Sequence, residues 1–151
     1  MQNKYPNPLF NPEYYFPGTG IIRSLYISHD ISIPPEALTD TYTNLINYTF
    51  NQNIHDIYLI DSTIFFHLNS SISYYNSVNL LATTFFRNKT LSNFGYVPSD
   101  IIYGPVLITG TLDTKKSIDN PYVYSVPYPI VEEILQSYDI LQTTQTIQSN
   151  N

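Results

Sequence analysis

The sequence predicts an α+β domain with one small mixed or antiparallel sheet of about four strands and two helices packed on it. Runs of strand length alternate with stretches of helical periodicity. The 15 Tyr and 8 Phe among 151 residues favour half-buried β-structure, and the length is that of one domain. We expect a Pro/Tyr-rich extended arm over residues 1–20, a single domain over residues 21–142 and a flexible tail over residues 143–151.

The first half of the chain predicts a strand, a helix and a hairpin. Residues 21–27, IIRSLYI, have β-branched and aromatic residues on both faces and predict a strand. Residues 34–50 begin with two prolines and a glutamate and continue with apolar residues at a three-to-four spacing, which predicts one amphipathic helix. Residues 56–69 contain two β-type runs around Asp61-Ser62 and predict a tight hairpin.

The second half contains the most strongly patterned stretch, DIIYGPVLITG, residues 100–110. Its apolar block has strand length and predicts a buried strand after Gly104-Pro105, and Pro105 indicates an edge position or a bulge because it lacks an N–H. The stretch lacks the glycines and the Lys-Ser/Thr of a phosphate-binding loop. Before it, Asn79 predicts the cap of a short helix over residues 79–86, with a strand as the alternative.

The last predicted helix begins near Pro127 or Pro129. Its apolar residues share one helical face, and they are Ile130, Val131, Ile134, Leu135, Tyr138 and Leu141. Glu132 and Glu133 turn outward near the N-terminal end, where they complement the helix dipole. The predicted order is therefore arm, β, α, β, β, short α, β, α.

Charge and composition disfavour several classes of partner. The chain has 6 Lys and Arg against 12 Asp and Glu, a net charge of -6, and its basic clusters are limited to Lys115-Lys116 and the looser pair Arg87 and Lys89. Binding to nucleic acid is therefore not expected. The absence of Cys excludes disulfides and thiolate zinc sites. No apolar run approaches the length that spans a bilayer, so we expect no membrane partner and an intracellular (host cytoplasm) or virion location.

An enzymatic alternative rests on three histidines. His29 and His55 each precede an aspartate, and a small metal-dependent hydrolase could use His29, His55 and Asp56, with Asp61 as a further carboxylate. His67 lies within a predicted strand. No Gly-x-Ser-x-Gly motif is present, and the acids lie where turns commonly carry Asp. We therefore expect a non-enzymatic protein with no catalytic residues, no metal site and no cofactor.

Tyrosines on a weakly charged surface favour contact with other proteins, because Tyr supplies rigid contact area and a hydroxyl at little entropic cost. The expected contact residues are Tyr5, Phe10, Tyr14, Tyr15, Phe16, Tyr122 and Tyr124. The expected partner is another protein or a second copy of the chain. The arm either packs on its own domain or inserts into a neighbour.

From residue 21 to about 135 the chain resembles a small uncharacterised family found in phages, mobile elements and large DNA viruses. The family pattern is Asn-x-x-Ala-Thr, then Gly-Pro-Val-x-x-x-Gly, then an acidic position and a closing helix. Here the pattern falls on Asn79, Ala82, Thr83, Gly104, Pro105, Val106, Gly110 and Asp113. The arm lies outside the pattern, and the stretch from Lys115 to Tyr124 is longer than in it. The resemblance implies a small α+β domain of viral or mobile-element type and no catalytic residues. Together with the low charge, the Tyr-rich surface and the Pro-rich arm, it predicts an accessory or structural component of a viral or mobile-element system.

Overall fold

The computed structural model describes residues 20–51, 56–61, 63–69, 77–95, 101–113 and 122–149. Five strands of this part form one sheet: β1 (Ile21–Ile27), β2 (Glu36–Thr41), β3 (Asp56–Asp61), β4 (Ile64–Leu68) and β5 (Val106–Gly110). Their order is β2-β1-β5-β4-β3, and each neighbouring pair is antiparallel. Two short strands, β6 (Leu112–Asp113) and β7 (Tyr122–Val123), form a separate antiparallel pair. The predicted α+β class is confirmed.

Three helices of the described part cover the two faces of this sheet: α1 (Tyr42–Phe50), α2 (Leu80–Phe94) and α3 (Tyr128–Ser149). Helix α1 packs on one face with Phe65 and Leu107. Helices α2 and α3 pack on the opposite face with Phe66 and Ile108. Adjacent residues of β4 and β5 therefore enter different cores, as the alternation of side chains along a strand requires. Within the described ranges, no helix is both long enough and apolar enough to cross a membrane.

Residues 34–50 do not form the single helix that their spacing predicts. Residues 36–41 form β2 and only residues 42–50 are helical. The helix begins where the Thr41 side chain accepts a hydrogen bond from the Asn44 N–H at 3.2 Å. Before that point, Leu38 faces the α1 core while its neighbour Ala37 lies exposed on the other side of the strand. A period of two, set by pairing with β1, therefore replaces the expected helical period.

The hairpin predicted over residues 56–69 is confirmed by the antiparallel pairing of β3 with β4, which has a register shift between Leu59 and Asp61. Ser62, at its turn, lies outside the described residues.

The strand predicted in DIIYGPVLITG is confirmed as β5, but it has neither the edge position nor the bulge that Pro105 indicated. Strand β5 is the central strand of the sheet, between β1 and β4, and all five of its residues are buried. Pro105 lies one residue before the strand, so its missing N–H falls outside the ladder. Gly104, at φ 77°, provides the turn into the strand, because glycine adopts positive φ without a steric penalty.

The helix predicted after Asn79 is confirmed as α2, and it runs to Phe94, past the predicted end. The Asn79 side chain accepts a hydrogen bond from the Ala82 N–H at 3.0 Å, which is the expected cap. Gly95 ends the helix at φ 76°, with its N–H bonded to the Leu91 carbonyl. Helix α3 begins at Tyr128, close to the predicted start, and continues to Ser149, past the boundary predicted at residue 142.

Candidate protein-binding surface

The expected contact residues are only partly within the described chain. Five of them, in the arm, lie outside it: Tyr5, Phe10, Tyr14, Tyr15 and Phe16. The backbone of Tyr122 belongs to β7, and its side chain is likewise outside the described part. Tyr124 is 50% exposed. Tyr124 is therefore the expected contact residue whose described side chain lies at the surface.

The segment that carries Tyr124 is inserted between β1 and the end of β5. The Gly110 N–H donates to the Tyr124 carbonyl at 2.9 Å, and the Tyr124 N–H donates to the Thr111 carbonyl at 2.8 Å. On the other side, the Val126 N–H donates to the Arg23 carbonyl at 2.9 Å, and the Arg23 N–H donates to Ser125 Oγ at 2.9 Å. The segment is thus hydrogen-bonded on both sides, which fixes the position of Tyr124 and of the start of α3.

Gly110 allows this insertion because it has no side chain. A Cβ at residue 110 would lie 2.4 Å from the Ser125 carbonyl oxygen and 2.7 Å from both the Tyr124 carbonyl oxygen and its Cβ. These distances are too short for any real Cβ contact. The close backbone approach explains why glycine ends the buried run of β5.

Arg23 holds the first residue of α3 in place. Its guanidinium lies over the ring of Tyr128, 3.8 Å from the ring centroid, and its Nη2 donates to the Val126 carbonyl. Its Nε is buried without a hydrogen-bond partner among the described residues. Within that part of the chain no carboxylate pairs with Arg23.

We call the exposed residues Ile21, Tyr124 and Tyr128, together with Arg23, the aromatic surface. Tyr128 contacts Arg23, and the two residues that follow Tyr124 are hydrogen-bonded to the backbone of Arg23. Ile21 is 65% exposed, Tyr124 50% and Tyr128 66%. Ile21 lies two residues before Arg23 and therefore on the same face of β1. The sequence predicted Tyr124 as a contact residue, and it did not predict a contact role for Ile21 or Arg23. The available signal for Arg23 was a cation on the otherwise apolar face of a predicted strand.

Those residues of the metal-dependent hydrolase alternative that lie in the described part of the chain are far apart in the fold. Asp56 pairs with Leu68, and Ile27 with Val106, so Asp56 lies three strands from the end of β1, where exposed His29 follows. Three strand spacings are about 14 Å, whereas zinc ligands lie about 2 Å from their ion. His55 and the side chain of Asp61 are outside the described residues. In the part that is described, no group of three metal-binding side chains occurs.

His67 is fully buried and belongs to a polar cluster in the α1 core. Its Nε2 lies 2.9 Å from Thr109 Oγ1, and Thr109 Oγ1 donates to the Gly110 carbonyl at 2.9 Å. The Nδ1 of His67 lies 3.3 Å from Tyr42 Oη, so each ring nitrogen of His67 is within hydrogen-bond distance of a hydroxyl. Burial raises the pKa of the Tyr42 hydroxyl well above its ordinary value. Tyr42, His67 and Thr109 are all buried, so this cluster satisfies the polar groups of its members inside the α1 core.

The basic residues form no phosphate-binding groove within the described ranges. Lys89 on α2 makes an ion pair with Glu133 on α3 at 2.8 Å, which neutralises its charge and brings Glu133 toward α2. Lys115 and Lys116 lie outside the described residues.

Comparisons of the chain with protein-family models, with curated protein sequences and with solved structures gave no match. The class defined by the described residues is an α+β domain, with an antiparallel sheet that has helix α1 on one face and helices α2 and α3 on the other. The resemblance to a phage and mobile-element family stays a prediction.

Proposed function

We propose that this chain is a non-enzymatic protein-binding domain that associates with other proteins, further copies of itself included. The observation that supports the proposal is the aromatic surface. Tyr and Arg are the residue types most enriched among the side chains that dominate binding energy at protein interfaces. Arg23 is fixed between Tyr128 and the Val126 carbonyl, so little side-chain entropy is lost when a partner covers it.

The composition supports the same function. With 12% charged residues, the chain offers few charges that would have to lose water in an interface. The arm, which carries five aromatic residues, ends in sequence at Gly20, directly before Ile21 of the aromatic surface. The arm and this surface together are the proposed contact region. A place in a viral or mobile-element system rests on the sequence resemblance alone.

Light scattering across a wide concentration range tests this proposal. The full chain is expected to form concentration-dependent multimers, and both a chain without residues 1–18 and the variant Tyr124→Ala/Tyr128→Ala are expected to stay monomeric. The matched control is Ile140→Ala, because Ile140 on α3 is as exposed as Tyr128, at 66%, but lies outside the aromatic surface. A full chain that is monomeric throughout the range, or a control that dissociates equally, would contradict self-association through this region.

A further inference from the structure

Strand β2 forms one edge of the sheet. It pairs with β1 from Tyr26↔Glu36 to Ile21↔Thr41 without a register shift. Among the described strands none pairs with its outer side. The opposite edge, β3, has a register shift, a feature that commonly protects edges against further pairing. The regular edge at β2 is therefore the better template for an added strand.

The hydrogen bonds of Arg23 show which backbone groups of β2 point outward. Arg23 uses both its N–H and its C=O on the side away from β2, toward Ser125 and Val126. Opposite residues of an antiparallel pair exchange both backbone bonds or neither. Thr39, which is opposite Arg23, therefore directs its N–H and C=O to the outer side.

Successive residues of a strand direct their backbone N–H and C=O groups to opposite sides, which gives the direction of the other residues of β2. Leu38 points toward β1, where its carbonyl also accepts from Ser24 Oγ at 3.0 Å, and Ala37 points outward like Thr39. The Thr41 N–H also points away from β1, but Asp40 Oδ1 accepts it at 2.7 Å. Ala37 and Thr39 are both exposed, so their two N–H groups and two carbonyls can bond an incoming strand.

The side chains along this edge alternate in a way that specifies the chemistry of a partner. Glu36, Leu38 and Asp40 lie on the α1 face of β2, opposite Tyr26, Ser24 and Ile22. The order on this face is acid, apolar, acid. Hydrogen bonds from Asn44 Nδ2 and the Thr41 N–H lower the pKa of the Asp40 carboxyl, so it is ionised at neutral pH.

A second copy of the chain does not fit this edge. Two β2 strands that satisfy all four outward groups must pair Ala37 with Thr39 of the other copy, and Thr39 with its Ala37. That register places Glu36 directly opposite Asp40 twice, and like charges directly opposite are destabilising. Of the two neighbouring antiparallel registers, one pairs Thr39 with Pro35, which has no N–H to donate. The other pairs Ala37 with Thr41, whose N–H is already bonded to Asp40 Oδ1.

A segment of the same chain does not fit either. The complement of acid, apolar, acid on one strand face is two basic residues four positions apart with an apolar residue between them. The six basic residues of the whole sequence contain no pair with this spacing, and they are Lys4, Arg23, Arg87, Lys89, Lys115 and Lys116.

We propose that the outer edge of β2 binds an extended segment of a different protein, with the pattern basic-x-apolar-x-basic, as an added antiparallel strand. The inference rests on the proposed function, since it requires a protein-binding domain, and it names a second contact site with its own class of partner. Main-chain bonds to Ala37 and Thr39 provide the pairing. Glu36 and Asp40 select the basic side chains.

The probe is the capped peptide Thr-Lys-Thr-Val-Thr-Lys-Thr, added to the full chain while amide hydrogen exchange is followed by NMR. The Ala37 and Thr39 amides are expected to gain at least tenfold protection at saturating peptide. The Leu38 amide, which already faces β1, is the internal control and is expected to change little. The peptide with both Lys replaced by Glu is expected to bind at least tenfold more weakly.

Charge reversal on the protein makes the test reciprocal. Glu36→Lys is expected to weaken binding of the Lys peptide and to strengthen binding of the Glu peptide. The ratio of the two dissociation constants is expected to change at least tenfold. Glu132→Lys has the same change of charge on exposed α3 and is the matched control, with no change of preference expected.

Three results would overturn the inference. These are Ala37 and Thr39 amides that are protected without peptide, amides that stay unprotected at saturating peptide, and Glu132→Lys acting as strongly as Glu36→Lys. If these results are obtained while Tyr124→Ala/Tyr128→Ala still dissociates the multimers, only the β2 site is contradicted and the proposed function stands. A monomeric chain that binds the Lys peptide at β2 would remove only association through the aromatic surface.

Discussion

The side-chain amide of Asn79 donates to the Gly104 carbonyl at 2.8 Å and so ties the start of α2 to the turn that begins β5. The same Nδ2 donates to the Ile27 carbonyl at 3.1 Å, at the end of β1. Its Oδ1 accepts the Ala82 N–H. One fully buried side chain therefore joins a helix, a central strand and a neighbouring strand.

Two substitutions of Asn79 separate its role as a helix cap from its hydrogen bonds to the Ile27 and Gly104 carbonyls. Asn79→Ala removes three buried hydrogen bonds and is expected to lower the free energy of unfolding by about 3 kcal/mol. Asn79→Asp keeps the capping oxygen but turns an acceptor toward the Gly104 and Ile27 carbonyls, so it is expected to cost at least as much. Urea unfolding at pH 7 measures both losses.

The control for Asn79 is Asn44→Ala, which removes an exposed bond to Asp40 Oδ1 and is expected to cost less than about 1 kcal/mol. An Asn79→Asp variant as stable as the natural chain would show that only the cap matters at this position.

Gly110 and Gly95 give a matched pair of glycine substitutions with different physical causes. Gly110→Ala drives a Cβ into the backbone of Tyr124 and Ser125 and is expected to cost about 3 kcal/mol. Gly95→Ala meets no atom within 4 Å, so only its φ of 76° opposes the change, at about 1 kcal/mol. Equal losses in thermal or urea unfolding would argue against the close approach at Gly110.

The sequence predicted those elements whose signals are local. Asn79 with its following apolar residues, and the apolar run after Pro105, each carry their own start signal. The boundary at Thr41 escaped prediction because Ala37 and Leu38 suit helix and strand alike, and pairing with β1 decides between them.

The candidate surface was harder to predict because its contacts are distant in sequence. Arg23 and Val126 are 103 residues apart, and no local pattern brings them together. The edge of β2 was missed for the same reason, since its outward groups are known only once the partner of Arg23 is known. Composition indicated protein contact in general but could not place it.

Tyr128 is expected to contribute little to folding even though Arg23 stacks on it. Its ring is 66% exposed, and a cation–π contact at an exposed site contributes about 0.5 to 1 kcal/mol. Tyr128→Ala is therefore expected to lower the free energy of unfolding by no more than about 1 kcal/mol in urea titrations. A loss several times larger would mean that the ring is part of the core, and the light-scattering result for this variant would then report unfolding.

Tyr42 makes the stability of the domain sensitive to alkaline pH. Burial raises the pKa of its hydroxyl above the ordinary value of 10.0, so the folded state favours the neutral phenol more strongly than the unfolded state does. This contribution is complete below about pH 10, the unfolded pKa, and is lost as pH rises from there toward the folded pKa. Tyr42→Phe cannot ionise and lacks this loss.

The test compares the free energy of unfolding of both proteins in urea between pH 7 and pH 11. At pH 7 Tyr42→Phe is expected to be about 1 kcal/mol less stable, because the bond from Tyr42 Oη to His67 Nδ1 is gone. Above pH 10 the difference is expected to shrink or reverse. Curves for Tyr42→Phe and the natural chain that stay parallel to pH 11 would show that the hydroxyl of Tyr42 is not held neutral by burial.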